Sequence, residues 1–129
     1  MGWFSRKKEK KNLQEDIKTE ASNIEELKES VEKLKEDLQN SEGSSRVNIL
    51  NKLGDIYYKI SDYDEAAKYY EESLSLQKTI GKAYTNLLNI YNSKRKEAAI
   101  NKDDEQIQYY LVKIDDMMKI SKDVVRGNV

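Results

Sequence analysis

Residues 53–70 read Leu53-Gly54-Asp55-Ile56-Tyr57-Tyr58-Lys59-Ile60-Ser61-Asp62-Tyr63-Asp64-Glu65-Ala66-Ala67-Lys68-Tyr69-Tyr70. Apolar side chains recur at helical spacing on both sides of Ser61-Asp62, and that dipeptide interrupts them. Working upstream, Ile49, Leu50, Leu53, Ile56, Tyr57 and Ile60 fall on one helical face. Downstream, Tyr63, Ala66, Ala67, Tyr70 and Leu74 do the same, and Asp62 or Asp64 is placed to accept the free amides of the second helix. Residues 46–77 therefore predict a helical hairpin. A glycine inside a helix costs about 1 kcal/mol relative to alanine, so Gly54 is expected where the two helices approach closely.

The pattern recurs. Leu53 and Leu87 are 34 residues apart, as are Tyr57 and Tyr91. In the second unit Tyr84, Leu87 and Tyr91 keep the phase, but Asp104 to Tyr110 parallels Asp64 to Tyr70 at an offset of 40, an insertion of six residues. Asn92 to Ile100 contains neither Gly nor Pro, so the first helix of this unit is predicted to continue to about Ile100. Asn101 is then placed to end it and Asp103 to start the next, with Gln106 completing a cap. The last helix shows Ile107, Tyr110, Leu111, Ile114, Met117 and Met118 on one face.

Residues 53–70 resemble a tetratricopeptide repeat, W-x2-L-G-x2-Y followed by A-x3-F. Leu50 stands in the Trp slot, Gly54 in the Gly slot, and Ala66 and Tyr70 in the small and aromatic slots. The closing Pro of the pattern is missing. The resemblance spans one good repeat, about 46–79, and one degenerate, extended repeat, about 81–122, which has Tyr84 in the Trp slot and Leu88 where Gly is expected. It implies an all-α fragment of a helical solenoid whose groove is lined by the first helix of each unit. The groove positions would be Asn48, Asn51, Lys52, Asp55, Tyr58 and Lys59, with Lys82, Thr85, Asn86, Asn89 and Asn92. Helical periodicity independently predicts these to be exposed. An Asn-rich surface suits an extended peptide, since Asn both donates and accepts. The family's grip on a chain-terminal carboxylate needs Lys and Asn across three repeats. Only Asn86 fits, so that activity is not carried over.

Two hairpins leave an end uncovered, because about three are usually needed for stability. The candidates to cover it are the chain's own preceding helix, a second copy or a partner, with the chain's own helix as first choice. Residues 12–40 are rich in Glu and Lys and separated from the body, 46–129, by Ser41-Glu42-Gly43-Ser44-Ser45. Within them Ile17, Ile24, Val31 and Leu38 recur every seven residues, and Leu27 and Leu34 each follow three residues after one of them. This is a heptad seam, broken by Glu20 in one slot. Ser22 and Glu25 form a capping-box pattern that would start the helix later. Two readings are open: an amphipathic helix folded on its own body, or a self-pairing coiled coil. For the second, Lys28, Ser30, Lys35 and Asp37 offer few complementary flanking pairs.

Residues 1–11 carry Arg6, Lys7, Lys8, Lys10 and Lys11 against Glu9, a charge of +4 that leaves −5 on the rest of a chain of net charge −1. Trp3 and Phe4 sit beside this basic run. Aromatic rings settle at headgroup level and basic residues favour anionic lipid, so the tip has a reading as a contact with an anionic membrane surface and a plainer one as a disordered, solubilising start. Arg6 occupies the position where myristoylation of Gly2 would want a hydroxyl. The order is the reverse of a secretory leader, and no apolar run approaches the roughly 20 residues of a membrane span. A cytoplasmic address is the expectation.

Among 129 residues there is no Pro, Cys or His. Absence of Pro favours helix throughout, and absence of Cys and His excludes disulfides, thiolate nucleophiles, triads and zinc sites. Asp62/Asp64/Glu65 and Asp103/Asp104/Glu105 fall at helix starts, where carboxylates answer the helix dipole. Those two clusters and Asp115/Asp116 all lack calcium-loop spacing. No metal, cofactor or catalysis is expected. Nine Tyr read mainly as core filler, one of each doublet facing inward, and an acidic body opposes nucleic acid. The expectation is an adaptor that binds a protein or peptide. Its alternative is a structural homodimer, paired through the seam and held at a membrane by its tip.

Overall fold

The computed structural model describes residues 23–127, and helices account for nearly all of them. Residues 23–39 form α1; α2 (Gly43–Lys59), α3 (Tyr63–Leu76), α4 (Lys82–Ile100) and α5 (Asp104–Arg126) follow. The break expected over 41–45 is shorter than that, because Gly43 already begins α2 with a φ of 61°. That left-handed value is one glycine adopts without penalty. Here it turns the chain into a helix rather than out of one.

The α2/α3 and α4/α5 connections are the same turn made twice. At the first, Ser61 N–H donates to Tyr58 O at 3.1 Å and Asp62 N–H to Tyr57 O at 2.9 Å. At the second, Lys102 N–H donates to Ala99 O at 3.1 Å and Asp103 N–H to Ala98 O at 2.9 Å. This paired bonding is a Schellman stop, and it requires positive φ at Ser61 (64°) and Lys102 (55°). The aspartate ending each turn caps the next helix: Asp62 Oδ1 accepts from Glu65 N–H and Asp103 Oδ1 from Gln106 N–H. The matched caps correct the sequence offset. They stand 41 residues apart, so the insertion is seven residues, two full helical turns, and it preserves the rotational phase that six would have shifted. Tyr70 thus corresponds to Leu111, not to Tyr110.

The hairpins stack side by side, α4 packing on both α3 and α2. Ala66, Tyr70 and Leu74 meet Tyr84, Leu87, Ile90, Tyr91 and Met117 in the larger core cluster. A second cluster joins Val31 of α1 to Leu50, Leu53 and Tyr69, with Leu34 and Leu38 packed against it. Helix α3 therefore lies between two neighbours, and both members of its tyrosine doublet are buried, Tyr69 toward α1 and Tyr70 toward α4. This differs from the expected one inward member per doublet. Residues one apart on a helix diverge by about 100°, which is why only a sandwiched helix buries both.

Helix α1 takes the folded-back reading of the heptad seam. Arg46, early in α2, donates to the carbonyl of Leu38 at 3.0 Å and bridges Glu72 of α3 at 3.0 Å. Further along, Lys35 Nζ lies 5.7 Å from the ring of Tyr57. These contacts make α1 antiparallel to α2. Because Val31, Leu34 and Leu38 are taken up by the body, the seam is not available to a coiled coil of the expected kind. Ile24, 39% exposed, is outside that contact, and Leu27 is partly buried. Ile17 and Ser22 lie outside the described residues, as do Trp3, Phe4, Arg6, Lys7, Lys8, Lys10 and Lys11.

Candidate partner-binding face

Helices α2 and α4 lie side by side, and the polar side chains read as groove residues project from them. Asn48, Lys52, Lys59, Lys82, Thr85 and Asn89 are exposed. Asn51, Asp55, Tyr58, Asn86 and Asn92 are instead partly buried, a correction to the expectation of uniform exposure. For most of these the reason is contact with other side chains. Ser73 Oγ donates to Asn51 Oδ1 at 2.5 Å. The ring of Tyr58 packs against Tyr63, centroids 5.5 Å apart, and edge-on to Tyr70 at 6.5 Å.

Tyr70 joins the two helices. Its side chain is fully buried, and its hydroxyl donates to Asp55 Oδ1 at 2.5 Å while accepting from Asn86 Nδ2 at 3.0 Å. Lys82 Nζ stands 3.4 Å from the other oxygen of Asp55. One buried hydroxyl thus connects α2, α3 and α4. Burial, and then the hydrogen bond to the Asp55 carboxylate, push the Tyr70 hydroxyl well above its ordinary range, so it remains a proton donor. Asp55, Asn86 and Lys82 are brought together, and Asn48, Lys52 and Asn89 occupy exposed positions on the same two helices. The sequence reading took Tyr70 as aromatic filler and missed this bridging role. The signal was present: a buried tyrosine needs a partner for its hydroxyl, and Asp55 and Asn86 were the polar positions left beside it.

On the other side of the stack, α3 and α5 flank α4, and Lys113 of α5 reaches across to Glu71 of α3, Nζ to Oε1 at 4.0 Å. A cleft of about 210 Å³ lies there, lined by residues including Asp64, Glu71, Tyr91, Lys94 and Tyr110. Tyr91 donates its hydroxyl to Glu71, and burial followed by that carboxylate pushes the hydroxyl well up. Lys94 pairs with Asp64 at 2.7 Å, which raises the lysine. Its polar groups thus satisfy one another across the helices, whereas the α2/α4 face leaves Asn48 and Asn89 exposed. Among the described residues no helix is long and apolar enough to cross a membrane.

Comparison with protein families gives a match over residues 47–80 to the tetratricopeptide repeat model. Comparison with curated proteins and with solved structures gives no match. The matched segment begins within α2, contains its Gly54 crossing, the Ser61-Asp62 turn and all of α3, and ends before α4. Residues 47–80 are a tetratricopeptide repeat.

Proposed function

We propose that this chain is an interaction adaptor that binds a protein or an extended peptide segment on the face formed by α2 and α4. A tetratricopeptide repeat is a protein-interaction unit, and α4/α5 acts as a second, extended unit beside it. The observation that carries the reading is the Tyr70 link. By holding Asp55 and Asn86 together through one buried hydroxyl, it fixes α2 and α4 in register. The exposed amides of Asn48 and Asn89 are then preorganised, and a preorganised surface spends less of its binding energy on ordering. Paired donors and acceptors on rigid helices match the alternating amide and carbonyl groups of a peptide backbone.

The test is a pull-down from native extract with the full chain and with an Asn48→Arg/Asn89→Arg variant, both checked for unchanged helicity. The expected outcome is a protein retained by the parent chain and lost with the variant. Retention of the same proteins by both would remove the α2/α4 face as the site.

A further inference from the structure

The matched caps place Ile107, Leu111 and Ile114 of α5 where α3 has Ala66, Tyr70 and Ser73, the side chains that meet the next helix. In α3 those positions are buried against α4 or hydrogen-bonded to the hairpin's own α2. In α5 the stripe that continues these positions is open at alternate steps: Leu111 is 41% exposed, Met118 56% and Val125 79%, while Ile107 is partly buried and Ile114 packs partly against the hairpin core. Sequence reading put Leu111 and Met118 on the same inner face as Met117, but the structure buries Met117 and leaves those two outside. Ile107, Leu111, Ile114, Met118, Ser121 and Val125 follow a 4-3-4-3-4 spacing, the seam of a paired helix.

We propose that this stripe is the interface for a second copy of the chain, with α5 of each copy packed antiparallel against the other about a twofold axis near residue 116. Two observations select this occupant. An antiparallel seam in this register sets Ile114 against the partner copy's Met118 and Ile107 against its Val125, two apolar layers each made twice, with Leu111 against Ser121 between them. Beside the stripe the charges are also segregated: Asp104 and Asp115 lie on the first half of the edge, and Lys119, Lys122 and Arg126 on the second. Lys119 already bridges Asp115 within the helix at 3.5 Å, leaving Asp104 to face the other copy's Arg126. A parallel pair would oppose like with like. The far end of the stack is covered by α1, whose outer face shows Glu25, Glu29, Glu32 and Glu36 to solvent. A head-to-tail chain of copies is therefore blocked, and the closed twofold pair is the arrangement left. The surface is separate from the α2/α4 face, so it stands or falls independently of the proposed adaptor role.

Sedimentation equilibrium of the full chain is expected to give twice the chain mass, and a Leu111→Glu/Met118→Glu variant the single mass with an unchanged helical circular dichroism spectrum. A parent chain that stays monomeric, or a dimer that survives in the variant, overturns the proposal. Orientation is read by cross-linking, since the chain has no cysteine. Under oxidation Ser121→Cys alone is expected to stay uncross-linked, while its mixture with Leu111→Cys forms a covalent dimer. Cross-linking of Ser121→Cys with itself would contradict the antiparallel arrangement.

Discussion

Gly54 lies under the ring of Tyr70. A Cβ at this position would come within 2.5 Å of Cε1 and 2.6 Å of Cδ1. The ring has no room to retreat, because it is fully buried and its hydroxyl is held by Asp55 and Asn86. Alanine would gain about 1 kcal/mol of helix propensity but force an overpacked crossing, which typically costs about 1–3 kcal/mol. Gly54→Ala is therefore expected to destabilise the full chain by about 1 kcal/mol and Gly54→Leu by more, read from urea midpoints at constant m-value. An unchanged or raised midpoint would mean that α2 and α3 do not cross here. The close approach was legible in the sequence, because an unforced glycine has no place in an otherwise regular helical pattern. Which atom it approaches was not, since that depends on the side-chain direction of a residue sixteen positions later. The positive φ of Ser61 and Lys102 was equally hidden. Neither residue type favours that conformation, and it is the bonding of the whole turn that places them there.

At the scale of elements, α1 does for the first hairpin what α4 does for the second face of α3. Val31, 8% exposed, packs with Leu50, Leu53 and Tyr69. Removing two buried methyl groups loses about 1.5 kcal/mol at roughly 0.8 kcal/mol each, so Val31→Ala is expected to lower the thermal midpoint by several degrees for a domain of this size. No change on differential scanning calorimetry would show α1 detached from the body in solution. The heptad spacing revealed the seam but not its partner, because a stripe of this kind fits an identical helix or a hairpin face equally well. The decision rests on Tyr69, on an element distant in sequence, and on Arg46 of the next helix folding back to the Leu38 carbonyl. The length of α4 was legible from the missing Gly and Pro, whereas the seven-residue insertion was misjudged by one. The tyrosine doublets aligned by letter, and only the capping hydrogen bonds show which positions correspond.

Across the whole molecule, the stack has two differently built sides. The cleft between α3 and α5 is crossed by ion pairs that satisfy one another, while the α2/α4 side is held from beneath by Tyr70 and presents amides and lysines outward. The exposed part of that face was readable as the polar remainder of two amphipathic helices. Its partly buried part was not, because Asn51, Asp55 and Asn86 turn inward to partners that only the folded chain supplies. The most direct measurement of the adaptor reading is site-specific photo-cross-linking in native extract, with the probe placed in turn at Asn48, at Asn89, and at the exposed Glu29 of α1 as a control. The expected result is a heavier adduct containing the same protein from Asn48 and from Asn89 and none from Glu29. Adducts from Glu29 with none from either asparagine would contradict a partner on the α2/α4 face.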